Sequence, residues 1–204
     1  MMKAFWNERY GGDEYVYGQL PNEYFKTQLA TLPPGKILLP AEGEGRNAVY
    51  AAAQGWDVYA FDQSEAGQRK AMALARKANV KIHYDVLDVL EVSFTPDTFD
   101  AIALIFAHFP ASIRPVAHQL LIPLLRPGGT LIFEAFSKQQ IYYQRLNPNA
   151  GGPRDTDMLF DETELRREFE GITFTKIEEK ETILDEGPHH SGKGMVLRGI
   201  GTKL

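Results

Sequence analysis

From Lys36 onward, short runs rich in β-branched and aromatic residues alternate with segments of helical length. That alternation restricts the chain to a mostly parallel sheet with helices on both faces. "KILLP" reads as the first strand, "RNAVYAAAQG" as a helix ending at Gly55, and "DVYAF" as the second strand. "EAGQRKAMALARKANV" is a longer helix with Ser64 placed to cap it. "VKIHYD" follows as a third strand, and "FDAIALIF" as a fourth whose unbroken apolar run suits a strand buried on both faces. "PASIRPVAHQLLIPLL" predicts a helix disturbed by Pro123 near its end, then a turn at "RPGG" and a fifth strand, "TLIFEAF".

Beyond Phe136 the rhythm changes. A short helical piece leads into a loop of unusual length, "NPNAGGPRDTDMLF", and such loops in compact domains tend to be functional. "DETELRREF" reopens as a helix in which Asp161 and Glu164 have capping-box spacing. The tail holds two strand-like runs joined by "DEGPHHSGK"; with no helix between them they are antiparallel neighbours. The expectation is an α/β sheet of five parallel strands with a terminal antiparallel hairpin.

Length and composition narrow the function. With 204 residues the chain suits one domain, expected as an N-terminal lid or helical segment (1–34), a ligand-binding core (35–136) and an insertion with the hairpin (137–204). The absence of cysteine excludes disulfides, thiolate metal sites and a cysteine nucleophile, and no metal site is expected. A net charge of -5 without a basic cluster argues against nucleic-acid binding and for a small-molecule partner. No membrane span or signal layout is visible, so a cytoplasmic protein, monomeric or homodimeric, is expected.

After the first strand, Gly43, Gly45 and Ala48 fit the G-x-G-x-x-G/A pattern of nucleotide-binding turns, yet Glu42 and Glu44 lie inside the turn. A dinucleotide would bring phosphate charge there, and each carboxylate within about 4 Å would cost on the order of 4 kcal/mol at an effective dielectric near 20. S-adenosylmethionine carries a sulfonium and an ammonium, which carboxylates favour, and a carboxylate that Arg46 or the following helix N-terminus could hold. Asp62 follows the second strand about 20 residues on, where an acid accepts from ribose hydroxyls. After the third strand, Asp88 could accept from an adenine amine, with Asp85 as its competitor.

With those positions placed, the chain resembles class I S-adenosylmethionine-dependent methyltransferases, on "ILLPAEGEGRNAVYAA", "VYAFDQS", "VLD", "FDAIALIFAHFP", "LLRPGGTLIFEAF" and the closing hairpin. "FWNERYGGDEYVYGQLPNEYF" together with "EGEGRNA" is similar to the branch that includes tellurite-resistance and thiopurine methyltransferases. The resemblance implies a Rossmann-like three-layer sandwich with a seven-stranded sheet, and methyl transfer to a small acceptor such as a soft sulfur, selenium or tellurium species. It implies donor contacts from Trp6, Tyr17, Glu42, Gly43, Glu44, Gly45, Arg46, Asn47, Asp62, Gln63, Asp88, Val89 and Phe106. The chain departs from the family pattern at Leu39, where an acid is usual, and at Ala41, the first glycine position; Ala41 costs little provided its φ is negative. Glu42 is the expected substitute for the missing acid.

His108, in "FAHFP" after the fourth strand, either touches the acceptor and acts as a base or fills space between Phe106 and Phe109 and hydrogen-bonds to backbone. His118, one turn after Arg114, reads as structural or solvated. His189 and His190 read as hairpin-loop residues, since adjacent histidines usually point apart, while the family resemblance leaves room for acceptor-side contact from this loop. Phe5, Trp6, Tyr10, Tyr15, Tyr17 and Phe25 form either a lid over the ligands or a helix packed on the core. Tyr142, Tyr143 and "NAGGPRD" are placed at the acceptor rim. Two other readings stay open: an NAD(P)-dependent oxidoreductase on a similar fold, and a donor-binding protein with degenerate catalysis, for which Leu39 is the main argument.

Overall fold

The computed structural model describes residues 2–204. Seven strands among them form one sheet in the order β3-β2-β1-β4-β5-β7-β6. β1 (Lys36–Pro40), β2 (Asp57–Asp62), β3 (His83–Val86), β4 (Phe99–Ile105) and β5 (Leu125–Phe136) pair in parallel. β6 (Ile172–Asp185) and β7 (Ser191–Lys203) form the hairpin, with β7 antiparallel both to β5 and to β6. This is a Rossmann-like three-layer sandwich. Strand order reverses between β1 and β4, which opens a crevice beyond their carboxyl ends.

Side-chain alternation along the strands builds the two outer layers. Ile37, Leu39, Ala101 and Ala103 face one cluster with Phe25 of α2 (Glu23–Leu29), Ala48 of α3 (Arg46–Ala53) and Ala71 of α4 (Glu65–Lys77). Leu38, Ile102, Leu131 and Phe133 face the other, with Ala117 of α5 (Arg114–Leu121) and Leu165 of α7 (Glu162–Glu168). The helix signals act as their chemistry requires. Ser64 Oγ accepts from the Gly67 N–H at 3.1 Å, Gly55 at φ 90° follows the end of α3, and Asp161 with Glu164 completes a capping box. Pro123 ends α5 in a single 3-10 turn, Ile122–Leu124.

Three local expectations change. "RPGG" is not a turn ahead of β5 but a bulge within it, because Leu125 already pairs with Phe99 before the register shifts to Ala101–Thr130. Phe25 is buried in the core beside Tyr50, so α2 is a fixed part of the sandwich. Tyr15 packs on the same cluster and donates to the Lys70 carbonyl at 3.0 Å. Neither residue belongs to a lid. No helix among the described residues is long and apolar enough to cross a membrane.

Candidate active site

A cavity of about 670 Å³ occupies the crevice where the strand order reverses. Its floor is the set of segments leaving β1, β2 and β4; its roof is the N-terminal segment. The size is that of a site for one or two small molecules.

At the β1 end the turn is built from inside. Gly43 and Gly45 have φ 62° and 85°, the left-handed region that glycine tolerates. Neither lines the cavity: a Cβ at Gly43 would come within 2.6 Å of the Tyr10 hydroxyl, and one at Gly45 within 2.5 Å of Ala71 Cβ. Their role is therefore to shape the turn against Tyr10 and α4, a correction to the contact expected from the fingerprint. Ala41 also has a positive φ, 52°, so the condition for its low cost is not met and the turn carries backbone strain there. Leu39 is fully buried in the core and offers the site nothing.

The two glutamates separate. Glu42 lines the cavity and accepts from the Ala48 N–H at 2.7 Å, so its carboxylate closes the first turn of α3 from the ligand side. Burial pushes it up to about 7, against the opposing pull of that hydrogen bond and the Arg46 charge. Glu44 turns the other way. It pairs with Lys70 at 2.8 Å and accepts from the Val16 N–H at 2.8 Å, which ties the N-terminal loop to α4. Its charge is matched within the protein, so although it borders the cavity it does not supply the free negative charge that the sequence suggested.

Asp62 ends β2 with both oxygens in use: Oδ2 accepts from Gly43 N–H at 3.1 Å and Oδ1 from Ser64 N–H at 2.8 Å. Burial raises it to about 6 despite these bonds. Each oxygen keeps a lone-pair direction for a ligand hydroxyl. Gln63 and Val89 border the cavity with it, as does Asp88, whose Oδ1 caps the 3-10 turn at Leu90 at 3.0 Å. Asp85 is exposed and outside the cavity. Arg46 and Asn47 line the β1 side; Arg46 is paired with Glu186 at 2.9 Å, and Asn47 Oδ1 accepts from the Asn22 N–H at 2.9 Å.

The roof is made by α1 (Met2–Arg9) and the loop after it. Asn7 Oδ1 accepts from Ser64 Oγ at 2.8 Å and Lys3 pairs with Glu65, so α1 is docked on the start of α4. Phe5, Trp6, Arg9, Tyr10 and Tyr17 line the cavity, with Trp6 stacked on Tyr10 at 5.2 Å.

The β4 end decides between the two readings of His108 and moves two of the expected rim residues. His108 reaches the cavity, but Nδ1 contacts the Met158 carbonyl at 2.9 Å and Nε2 accepts from the Phe136 N–H at 3.2 Å. Nδ1 must therefore carry the proton, and neither nitrogen is available as a base. Burial holds the ring down at about 4, so it stays neutral as a strut between β5 and the 156–158 turn. Phe106 lines the cavity in a left-handed conformation, φ 53°, a strained placement of a bulky residue beside the site. The long loop does form the rim, through Pro148 and residues 151–155, but Tyr142 and Tyr143 lie elsewhere, beside Glu181 and Lys193.

His190 does lie in the hairpin loop between β6 and β7, and that loop folds back so that the side chain is buried in the cavity wall. Its Nδ1 meets Glu186 at 3.1 Å, and its ring packs against Tyr17, Phe106 and Phe136 at 4.5, 4.7 and 5.1 Å. His189 is exposed at the edge of the same cavity. The signal that could have found His190 is the four-residue spacing from Glu186 across one tight loop. His118 is structural: with Arg114 it encloses Glu168, at 2.9 and 2.8 Å.

Residues 37–129 match the family described as a methyltransferase domain. No curated protein matches the chain by sequence. Several solved structures match nearly its whole length. One, from work on the conversion of a disulfide bond into a thioacetal group during echinomycin biosynthesis, has 20% identity and a TM-score of 0.81, covering 100% of this chain and 93% of that one. TehB from Haemophilus influenzae has 16% identity and a TM-score of 0.72, over 99% of this chain and 67% of its own. Magnesium protoporphyrin IX methyltransferase from Synechocystis PCC 6803, solved with bound SAH, has 16% identity and a TM-score of 0.68, over 98% and 97%. At these identities the likenesses establish the fold.

Proposed function

We propose that the protein is an S-adenosylmethionine-dependent methyltransferase acting on a small molecule. One observation carries this reading: Glu42, Asp62 and Asp88 follow successive strands and border one end of a single cavity. Three carboxylates there suit a ligand that brings an ammonium, two ribose hydroxyls and an adenine amine, and they oppose the pyrophosphate of a dinucleotide. The match of residues 37–129 to a methyltransferase domain supports the same choice.

The cavity fits this donor on a further count. Glu42 is raised to about 7 because nothing in the protein fully offsets its burial, and an ammonium beside it would do so. Glu42 thus takes the place of the acid missing at Leu39. Asp62 and Asp88 would hold ribose and adenine, with Gln63 and Val89 alongside, while Trp6 and Tyr17 would cover the donor and Phe106 border its reactive end. When bound, the donor supplies an activated methyl group on a sulfonium. The residues around it need chiefly to orient the acceptor and exclude water, which the aromatic roof and the 151–155 rim are placed to do. A soft acceptor of the kind implied by the likeness to the tellurite-resistance branch fits the apolar β4 end, where Phe106, Phe109, Ile113 and Met158 face the cavity.

Calorimetry with S-adenosylhomocysteine and with NAD tests this reading. Binding of the homocysteine product alone is expected. Binding of NAD without it would replace the proposal with an oxidoreductase.

A further inference from the structure

We propose that His190, oriented by Glu186, is the general base of the acceptor site, and that the acceptor is a small apolar molecule methylated on a weakly acidic O–H or S–H. The inference rests on the methyltransferase reading and adds to it the chemical class of the acceptor.

The geometry is that of a carboxylate–imidazole pair set in the wall of a cavity. Glu186 is held in place by three partners: Asn22 Nδ2 donates to Oε1 at 3.0 Å, and Arg46 and His190 meet Oε2 at 2.9 and 3.1 Å. Burial would raise this carboxylate, but His190 and Arg46 outweigh that and hold it down at about 2. An ionised Glu186 can only accept, so Nδ1 carries the proton and the lone pair of the neutral ring lies on Nε2. Nε2 has no hydrogen-bond partner among the described residues, yet it is not one of the buried nitrogens cut off from open space, whereas His118 Nε2 is. His190 lines the cavity. His108, the other imidazole at this end, has both nitrogens occupied.

The walls define the acceptor. Tyr17, Phe106 and Phe136 surround the imidazole and admit a flat apolar body. In the step itself, the acceptor oxygen or sulfur forms a bond to the methyl carbon as the carbon–sulfonium bond breaks and its electron pair returns to sulfur. The acceptor proton passes to Nε2, and charge is conserved.

Charged and titratable groups facing His190 come from each neighbouring element: Glu186 and His189 from the hairpin loop, Arg46 from α3, Tyr17 from the N-terminal loop and His108 beyond β4. Burial lowers His190 below its ordinary 6.5 and Glu186 opposes this, so the ring is a neutral base at pH 7.

The test compares 2-naphthol, neutral at pH 7, with 4-nitrothiophenol, already ionised there, using labelled methyl donor. His190→Asn is expected to lower kcat with 2-naphthol by about 10²–10⁴-fold. The loss with 4-nitrothiophenol should be at least tenfold smaller. Glu186→Gln, a positioning change, should move the acid limb of the 2-naphthol profile to lower pH. Equal losses on both acceptors, with S-adenosylhomocysteine still bound, would overturn the base and leave the methyltransferase standing. Failure of the wild type to bind S-adenosylhomocysteine would overturn both. Should neither acceptor react, the ¹⁵N spectrum of His190 decides: an Nδ1–H tautomer supports the assignment and an Nε2–H tautomer refutes it.

Discussion

If Glu42 receives the donor's ammonium, donor affinity must depend on pH in a way set by this one carboxylate. In the free protein burial holds Glu42 at about 7. An adjacent ammonium would bring it back toward its ordinary 4.5. Each unit of that change couples proton release to binding by about 1.36 kcal/mol, so the full effect is about 3 kcal/mol, or roughly two orders of magnitude in affinity. The sign follows from linkage. The free protein binds the extra proton, so affinity is highest above pH 7 and falls as pH drops toward 4.5. At pH 7 about half a proton should leave for each S-adenosylhomocysteine bound.

Calorimetry in buffers of different ionisation enthalpy measures that proton directly, and the same titrations give affinity from pH 5 to 8. Glu42→Gln keeps an acceptor for the Ala48 N–H but removes the titration, so binding should weaken at pH 8 and lose its slope. Asp62, raised to about 6, contributes a smaller dependence at lower pH, which Asp62→Asn isolates. A flat affinity profile with no proton release would refute the placement of the ammonium at Glu42. An unchanged slope in Glu42→Gln would do the same.

Three other outcomes are expected. Asp62→Ala should weaken S-adenosylhomocysteine binding by about 1–3 kcal/mol by calorimetry, through loss of charge-assisted hydrogen bonds and of the Gly43 and Ser64 anchors. Ala41→Gly relieves a left-handed alanine at φ 52° and should raise stability to urea by about 0.5–1 kcal/mol, after the added freedom of glycine in the unfolded chain is subtracted. Arg114→Met leaves Glu168 buried with His118 and a long, exposed Arg167 contact at 4.0 Å, and removes the donors to the Asp157 and Leu159 carbonyls; a loss of about 3–5 kcal/mol in urea unfolding is expected, and a loss below 1 kcal/mol would show that the cluster is not what clamps the 156–160 segment.

The difference between what the sequence disclosed and what it concealed is a difference in the range of the interactions. Strand alternation, the Ser64 cap, the Asp161 capping box and the glycine turn are settled by residues within a few positions of one another, and each can be read along the chain. The same holds for the order of acids after successive strands, because parallel topology brings consecutive strand ends to one crevice. What a carboxylate or imidazole does there depends on partners that the fold delivers from far away. Glu44 and Glu42 are two residues apart and chemically identical, yet Lys70 and the Val16 amide claim one, while the other caps α3 at the Ala48 amide on the cavity wall. His108 is silenced by a carbonyl and an amide 50 and 28 residues distant. His190 is the instructive exception. Its orienting partner Glu186 is only four residues away, but that spacing does not by itself say where the hairpin loop lies. Because β7 inserts between β5 and β6, that loop is carried back over the end of β5 and into contact with Phe136 and Phe106. The terminal hairpin, which first served only to distinguish one α/β fold from another, thereby becomes the element that brings a base to the acceptor.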